Sequence, residues 1–340
     1  MWPNVPACSE ASLRPGSASC PGKIFLWGEY GILAGLPAWV LAVGPRFRAN
    51  WGQSSSAPSS WTAHPESPLG RLLSRLEGNS SEWSQRVSEF RRSFVFQDAH
   101  SGLGGFGGST AEFILGACAL GLVTESPNSI EELWRIYRDL HSADAVLPSG
   151  ADLVAQASGG CVKVRIQGAD QGLGGLEIET VSPALGSSSF RLYSASGIPG
   201  RKVATHRHLP ELRDRGFFGV DSLLVRALKP WLDFAPQAMT SASLGRPQEL
   251  GALMDGIAEA LHGLGLEHPS THLERKKLRA IPGVLGVKGL GALQADALLV
   301  LCNPEPSVQN RVDAEALGLG LRPVALPLSS ESGLKAEGPT

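Results

Sequence analysis

The chain has 340 residues, of which 42% are hydrophobic and 18% charged, so it can bury a sizeable core and has the length of two ordinary domains. A formal net charge of -2 and a pI near 6.5 exclude a global basic field for nucleic acid or an anionic membrane, so any phosphate recognition must be local. Five scattered cysteines without a CxxC pair exclude a disulfide framework or zinc ribbon and favour a cytoplasmic location.

The first hundred residues predict an arm, two strands and two helices. Residues 1–18 are rich in Ser, Pro and Ala, lack the pattern of a secretory leader, and are expected to form a flexible arm. The β-prone segments KIFLW and AWVLAV follow, separated by turn-forming residues. Short amphipathic helices are expected at 69–76 and 83–90, and FVF at 94–96 is again β-prone.

A glycine-rich run, SGLGGFGGST at 101–110, directly precedes the segment AEFILGACALGL at 111–122. Because that segment is apolar almost all round, it is expected to form a buried helix. Backbone N–H groups and the helix dipole could then face a phosphate without side-chain obstruction. Position 108 is Gly rather than Lys, so this is not a Walker A loop, and a tight packing turn is the alternative interpretation.

The rest of the chain predicts mixed α+β structure rather than a regular βαβ alternation. A helix at 128–141 precedes PSGAD at 148–152, and a strand-rich passage carries the chain into a second half near residue 186. Later elements are helices at 219–228, 248–264 and 268–278 and a last strand, ALLVLC, at 297–302. His206 and His208 are expected on one face of a strand, as metal ligands or as a solvated pair.

Several motifs resemble those of the GHMP kinase superfamily. PGKIFLWGEYGILAGLPA at 21–38 resembles its first motif, PGKxxLxGEHxVxxGxPA, with Tyr30 in place of His. GLGGFGGSTAE at 102–112 is similar to the second motif, GLGSSAA, and PSGAD to the PSGxD of mevalonate kinases. VLGVKGLGAL at 284–293 falls where the family has its third, glycine-rich motif. The resemblance covers about residues 18–302 and is closest to the mevalonate and phosphomevalonate kinases.

This resemblance implies an α+β, two-domain GHMP kinase fold with the active site in the cleft between the domains. Residues 19–185 would form an ATP-binding domain like ribosomal protein S5 domain 2, and residues 186–330 a ferredoxin-like domain. Residues 331–340 are expected to be a flexible tail. ATP and Mg²⁺ are the implied cofactors.

The resemblance also implies roles for individual residues. Asp152 and Lys23 would form a catalytic pair beside the acceptor hydroxyl, Asp152 accepting its proton or orienting it and Lys23 offsetting phosphoryl charge. Ser109 would ligate Mg²⁺. The implied ATP-binding residues are Gly102, Gly104, Gly105, Gly107, Gly108, Ser109 and Thr110. The implied substrate-binding residues are Glu29, Tyr30, Ser149, Gly150, Thr205, Lys288 and Gly289.

Two departures from the family pattern bear on activity. His141 stands where mevalonate kinases have a Mg²⁺-binding Glu, so Asp139 or Asp144 would have to replace it, or the metal is held more loosely. Leu293 and Gln294 replace glycines of the third motif, so the loop there is expected to differ from the family's.

The expected activity is ATP-dependent phosphorylation of the hydroxyl of mevalonate in isoprenoid biosynthesis. Phosphomevalonate is the alternative acceptor, for which Arg201 and Lys202 could supply additional positive charge. A third interpretation is a catalytically inactive protein of this fold that binds nucleotide or metabolite. In each case the partner is a small anionic metabolite rather than nucleic acid or membrane, and a homodimer is left open.

Overall fold

The computed structural model describes residues 13–52, 62–100, 103–123, 127–167, 175–181, 190–196, 198–201, 205–219, 221–325 and 331–337. The strands are β1 (Gly16–Trp27), β2 (Ala38–Trp51), β3 (Val95–Gln97), β4 (Cys161–Gln167), β5 (Gly175–Val181), β6 (Phe190–Ser194), β7 (Val284–Leu290), β8 (Ala297–Cys302), β9 (Arg322–Val324) and β10 (Lys335–Glu337). The helices are α1 (Pro68–Glu77), α2 (Ser81–Ser93), α3 (Gly108–Ala119), α4 (Pro127–Asp139), α5 (Ala151–Ser158), α6 (Thr205–Asp214), α7 (Leu223–Ser243), α8 (Gln248–Gly263), α9 (Pro269–Arg279) and α10 (Pro306–Gly318).

The N-terminal half is built on an antiparallel sheet of six strands in the order β10-β1-β2-β4-β5, with β3 paired to the end of β2. Helices α3 and α5 pack on β1 and β2, and α1 packs on α3. Helix α3 is buried as expected, with Phe113, Ile114 and Leu115 fully inaccessible to solvent. Gly116 lets α1 approach closely, since a Cβ there would lie 2.5 Å from Leu69 Cδ1.

The C-terminal half is a four-stranded antiparallel sheet in the order β7-β8-β6-β9. In chain order, β6 is followed by helices α6 to α9, then by the hairpin β7–β8, helix α10 and strand β9. This βαββαβ order, with β6 and β8 central, is that of a ferredoxin-like domain. The predicted α+β class with a ferredoxin-like C-terminal domain is therefore confirmed. The boundary expected near residue 186 lies outside the described residues.

Three elements differ from the sequence predictions. The strand at 297–302 is not the last, because α10 and β9 follow it and complete the second sheet. His206 and His208 lie in helix α6, not on a strand, so their predicted common strand face does not exist. The predicted arm is shorter than 18 residues, because β1 begins at Gly16, and residues 1–12 lie outside the described part of the chain.

The predicted flexible tail is wrong for residues 331–337, which return to the N-terminal sheet. Strand β10 pairs with the start of β1, and Leu334 is 6% exposed in the N-terminal core. Arg46 fastens this segment by donating to the carbonyl oxygens of Ser332 and Gly333, each at 2.6 Å. These backbone contacts carry no hydrophobic periodicity, which is why the sequence did not reveal them.

In the described residues no helix has the length and apolar character needed to cross a bilayer. The described cysteines, Cys20, Cys118, Cys161 and Cys302, are all free thiols.

Deletion of residues 331–340 is expected to destabilise the N-terminal sheet. It exposes the edge of β1 and removes Leu334, whose burial alone contributes about 2 kcal/mol or more to the free energy of unfolding. Urea denaturation measures the loss, and deletion of 338–340, which leaves β10 in place, is the matched control. Equal stability of the two truncated chains would show that the tail does not support the sheet.

Candidate active site

The glycine-rich loop before α3 has a backbone that only glycine adopts easily. Gly105 and Gly107 have φ values of +88° and +83°. A Cβ on Gly107 would lie 3.0 Å from Gln156 Oε1 and 3.1 Å from Lys23 Cγ. The loop is fixed at its other end, because the Gly104 N–H donates to Ser196 Oγ in the C-terminal half at 2.6 Å. Of the predicted loop residues, Gly102 lies outside the described part of the chain.

The N-termini of α3 and α5 meet at a hydrogen bond between two side chains. Thr110, in the first turn of α3, donates its hydroxyl to Asp152 Oδ2 at 2.7 Å. Asp152 lies in the first turn of α5, and its Oδ1 accepts the N–H of Leu153 at 3.0 Å. Helix N-termini carry partial positive charge and favour an anion, so both helices stabilise the Asp152 carboxylate. Thr110 therefore contacts Asp152 directly, a role that the sequence did not indicate.

Lys23 borders this junction without pairing to Asp152. Its backbone N–H donates to Phe106 O of the glycine loop at 3.1 Å, which places the residue beside the loop. Its ammonium lies 5.0 Å from the centroid of the Phe25 ring and forms no hydrogen bond or ion pair with another described residue. The expected Lys23–Asp152 pair is therefore brought into the same region but not into contact, which leaves the ammonium available to an incoming anion.

Gln156 is a site residue that the sequence analysis missed. It is fully buried one turn after Asp152, and its Nε2 donates to Pro21 O at 2.9 Å and to Gly107 O at 3.3 Å. The side chain thus ties together β1, the glycine loop and α5. The sequence signal that could have indicated it is its spacing: Gln156 follows Asp152 by four residues and so lies on the same face of the helix.

Glu29 joins the two halves of the molecule. Its Oε2 accepts hydrogen bonds from Lys288 Nζ at 3.1 Å and Gln294 Nε2 at 2.7 Å, and its Oε1 accepts the Gly291 N–H at 3.1 Å. The side chains of Lys288 and Glu29 are 0% and 11% exposed, so this is a buried ion pair. Burial lowers the pKa of Lys288, and Glu29 opposes that shift. Both predicted substrate-binding side chains are therefore engaged with each other.

The third-motif loop, residues 291–294, has two non-glycine residues with positive φ values, which glycine adopts more readily. Leu293 and Gln294 have φ values of +50° and +57°, in the left-handed region. The Leu293 N–H donates to the hydroxyl of Tyr30 at 2.7 Å, and Leu293 O accepts from the N–H of His268 at 2.8 Å. The expectation that this loop differs from the family's stays a prediction, and the two side chains occupy a conformation that glycine adopts more readily. Tyr30 serves as a support for this loop.

Asp296 brings a second carboxylate to the glycine loop. Its Oδ1 lies 3.0 Å from the position of a Cβ on Gly104, and its Cβ lies 3.3 Å from that of Gly105. A Cβ on Gly291 would collide with the same carboxylate. The acid therefore sits between the second and third glycine-rich loops, where its charge opposes an anion unless a cation is present.

The suggested replacements for the missing metal-binding Glu are already paired. Asp144 accepts both its hydrogen bonds from Arg71 Nη1, at 2.9 and 3.0 Å, and Asp139 forms an ion pair with Arg75 at 3.1 Å. His141 is buried, and its Nδ1 donates to Tyr137 O at 2.7 Å. Residues with oxygen atoms that could hold Mg²⁺ near the loop are instead Ser109, which is exposed, Asp152 and Asp296.

The other predicted substrate residues have structural contacts. Ser149 accepts the N–H of Ala151 at 3.3 Å through its hydroxyl and that of the Trp134 indole at 2.8 Å through its carbonyl. Gly150 has φ +67° and packs against Trp134, and Gly289 packs against Gln294. Thr205 begins α6, and its side chain lies outside the described part of the structure.

Arg201 is not available to a phosphorylated substrate. It is 4% exposed and donates to both carboxylate oxygens of Glu274, at 2.8 and 2.9 Å, and to Thr271 Oγ1 at 3.2 Å. Lys202 lies outside the described residues. The sequence argument that Arg201 could bind a second phosphate is therefore wrong.

Replacing Glu29 by Ala is expected to lower the free energy of unfolding by about 3–5 kcal/mol, because it leaves the Lys288 ammonium buried without its partner. The double variant Glu29→Gln, Lys288→Met should lose less than Glu29→Ala alone, since no buried charge remains. Glu179→Ala, which breaks a surface ion pair with Lys163, should change stability by less than about 1 kcal/mol. Urea denaturation of the three variants checks this, and a Glu29→Ala effect no larger than that of Glu179→Ala would contradict it.

Two buried histidines predict a loss of stability in acid. Burial lowers the pKa of His100 and His141 below 6.5. Just below pH 6.5 these two histidines are protonated more fully in the unfolded chain than in the folded chain. The free energy of unfolding therefore falls as pH decreases below that value. Urea denaturation at a series of pH values should show a shallower acid slope in His141→Gln than in the unchanged chain. Identical slopes would show that His141 titrates alike in both states.

No protein-family model and no curated protein matches this sequence. Solved structures do match. The chain is similar to the phosphomevalonate kinase of Streptococcus pneumoniae, with TM-score 0.64 and 14% identity over 92% of this chain and 99% of that one. It is also similar to L. major mevalonate kinase in complex with R-mevalonate, with TM-score 0.60 and 15% identity over 96% of each chain.

A third match is the galactokinase of Lactococcus lactis complexed with galactose, with TM-score 0.66 and 12% identity over 94% of this chain and 95% of that one. These proteins act on different acceptors, so the matches concern architecture rather than substrate. Almost the whole length of each chain is aligned, so the similarity covers both halves of the fold. The chain has the two-domain fold of the GHMP kinases.

Proposed function

We propose that the chain is an ATP-dependent kinase that phosphorylates the hydroxyl group of a small anionic metabolite, with mevalonate as the first acceptor. The observation that carries the proposal is the position of Asp152. Its carboxylate lies where the N-termini of α3 and α5 meet, beside the glycine loop. The Lys23 ammonium lies in the same region and pairs with no other residue that the structure describes. A base, a cation and an anion-binding loop are the components that phosphoryl transfer requires.

The glycine loop fits the triphosphate of ATP. Gly105 and Gly107 turn the backbone into the left-handed region before α3, and no acidic residue lies in the first turn of that helix. A Cβ at Gly104 or Gly107 would lie only 3.0–3.1 Å from side-chain atoms of Asp296, Gln156 or Lys23, and Gly107 has a positive φ, so both positions favour glycine. Bound ATP would supply the phosphoryl group that is transferred.

Each residue then has a chemical task. The Asp152 carboxylate accepts the proton of the acceptor hydroxyl or orients that hydroxyl toward the phosphoryl group. The Thr110 hydroxyl holds Asp152 Oδ2 in place, and the Lys23 ammonium offsets negative charge on the transferred group. Loop N–H groups and the α3 dipole hold the phosphates.

Mg²⁺ fits the same region. Ser109, Asp152 and Asp296 present hydroxyl and carboxylate oxygens, which a hard divalent cation prefers to the imidazole of His141. A cation would also offset the repulsion between Asp296 and bound phosphates. We infer that Asp296 compensates for the missing family Glu.

Two observations bear on the acceptor. The burial of Arg201 against Glu274 removes a predicted ligand for a second phosphate, which favours mevalonate over phosphomevalonate. Tyr30, which stands where mevalonate kinases have His, still favours phosphomevalonate. Its hydroxyl accepts the Leu293 N–H and so supports the third-motif loop. The non-catalytic alternative is supported by Leu293 and Gln294, whose side chains replace glycines in that loop. It is also supported by the negative charge of Asp296 beside the loop, which opposes a bound phosphate.

Replacing Asp152 by Asn should lower turnover by about 100- to 10,000-fold while leaving the affinity for ATP without Mg²⁺ nearly unchanged, because it removes the base and one candidate Mg²⁺ ligand and keeps the shape. A coupled ADP-release assay with Mg²⁺-ATP against mevalonate, phosphomevalonate, homoserine and galactose measures turnover, and calorimetry measures ATP binding. Asp221→Asn, at an exposed position before α7, is the matched control and should keep full turnover.

Each outcome of this assay decides between the readings. Turnover with one acceptor that is lost in Asp152→Asn and kept in Asp221→Asn supports the kinase and names its substrate. Turnover that survives Asp152→Asn contradicts the role of that residue. ATP binding without turnover on any acceptor would instead support the non-catalytic protein.

A further inference from the structure

A cluster of two histidines and a glutamate lies in the C-terminal domain, away from the glycine loops. His262 is in the last turn of α8, Glu267 in the following loop and His272 in the first half of α9. The Nδ1 atoms of His262 and His272 lie 3.2 and 3.1 Å from the same oxygen, Glu267 Oε2. The two rings are nearly parallel, with centroids 3.6 Å apart.

Arg275 fixes the orientation of Glu267. The glutamate side chain is 0% exposed, and its Oε1 accepts from Arg275 Nε at 2.8 Å. Arg275 Nη2 also lies 3.2 Å from Oε2 and 3.3 Å from His272 Nδ1. The guanidinium is itself paired with Glu259, so its charge is shared between two carboxylates. Oε2 is thus directed toward the imidazoles. An ion bound there would displace the two longer Nη2 contacts and leave Arg275 on Glu267 Oε1 and Glu259, where it would act as outer-shell groups do around metal ligands.

We propose that His262 Nδ1, His272 Nδ1 and Glu267 Oε2 bind a divalent transition-metal ion of the Zn²⁺ class. With metal–ligand bonds of about 2.0–2.2 Å, neighbouring ligand atoms of a tetrahedral ion are about 3.3 Å apart, close to the observed separations. All three atoms lie within 4.8 Å of one another. Two imidazoles and one carboxylate suit Zn²⁺ and disfavour Mg²⁺, and a fourth position remains for water.

Binding requires a small rotation of the stacked rings, so that both nitrogen lone pairs point at one ion. His262 can provide it, because its side chain is 42% exposed at the end of α8. His268 does not take part, since its Nδ1 accepts the Ser270 N–H at 3.2 Å and caps α9. The ligand set is therefore His262, Glu267 and His272, without His268.

An ion here would tie the end of α8 to α9 beside the third-motif loop. The residue next to His272, Thr271, donates its hydroxyl to Gln294 O at 3.0 Å, and Glu274 holds Arg201. The bound ion should therefore stabilise the C-terminal domain where it borders the active site. This inference is independent of the acceptor and of phosphoryl transfer.

The test uses the full chain stripped of metal with a chelator and titrated with Zn²⁺ by calorimetry. We expect one Zn²⁺ per chain, a rise in Tm with Zn²⁺, and visible d–d absorption typical of four-coordinate Co²⁺ when Co²⁺ is used. His262→Ala and His272→Ala should each weaken Zn²⁺ binding about tenfold or more and abolish the rise in Tm. His64→Ala, which removes an exposed histidine of the other domain, is the control and should change neither.

Substitution of Glu267 is avoided, because it would leave the buried Arg275 without its closest partner and could unfold the chain. His262→Gln provides a second, conservative removal of one ligand at an exposed position. Absence of stoichiometric Zn²⁺ binding, or binding that survives all three variants at His262 and His272, would overturn the proposal. Displacement of Zn²⁺ by an equal concentration of Mg²⁺ would overturn the assigned ligand chemistry.

Discussion

The Glu29 carboxylate links the two domains through three hydrogen bonds, from the Lys288 ammonium, the Gln294 amide and the Gly291 backbone. A buried ion pair adds little net stability, because desolvation of both charges offsets most of their attraction. Its effect here is geometric. Glu29 follows β1, which carries Lys23, while Lys288 lies in β7 and Gly291 and Gln294 follow it. The pair therefore fixes where the third-motif loop lies relative to the first motif.

Local charge at the site depends on this arrangement, since the chain as a whole is nearly neutral. Positive potential comes from the N-termini of α3 and α5 and from the Lys23 ammonium, all supplied by the N-terminal domain. Negative charge comes from Asp152 in the same domain and from Asp296, which the C-terminal domain brings to Gly104 and Gly105. A site with this balance would bind a phosphate most readily together with a cation.

The sequence revealed the elements whose evidence is local. The apolar segment after the glycine run became the buried helix α3, and Gly105 and Gly107 of that run occupy positive-φ positions that side chains disfavour. Contacts between residues far apart in the chain were missed. The pairing of β10 with β1 and the pairing of Arg201 with Glu274 involve backbone or charged groups without a periodic pattern. Sequence spacing cannot show which distant carboxylate an arginine will meet.

The third-motif loop holds two non-glycine residues in a backbone conformation that glycine adopts more readily. A non-glycine residue in the left-handed region costs about 1–2 kcal/mol, and Leu293 and Gln294 both occupy it. Bonds from both domains offset that cost: Tyr30 accepts the Leu293 N–H, Gln294 donates to Glu29, and Leu293 O accepts from His268. Glycines would leave this loop free to take several conformations, whereas these side chains and their hydrogen bonds fix it in advance. A loop that is already ordered loses less conformational freedom when a ligand binds, so the substitutions are compatible with the proposed binding site.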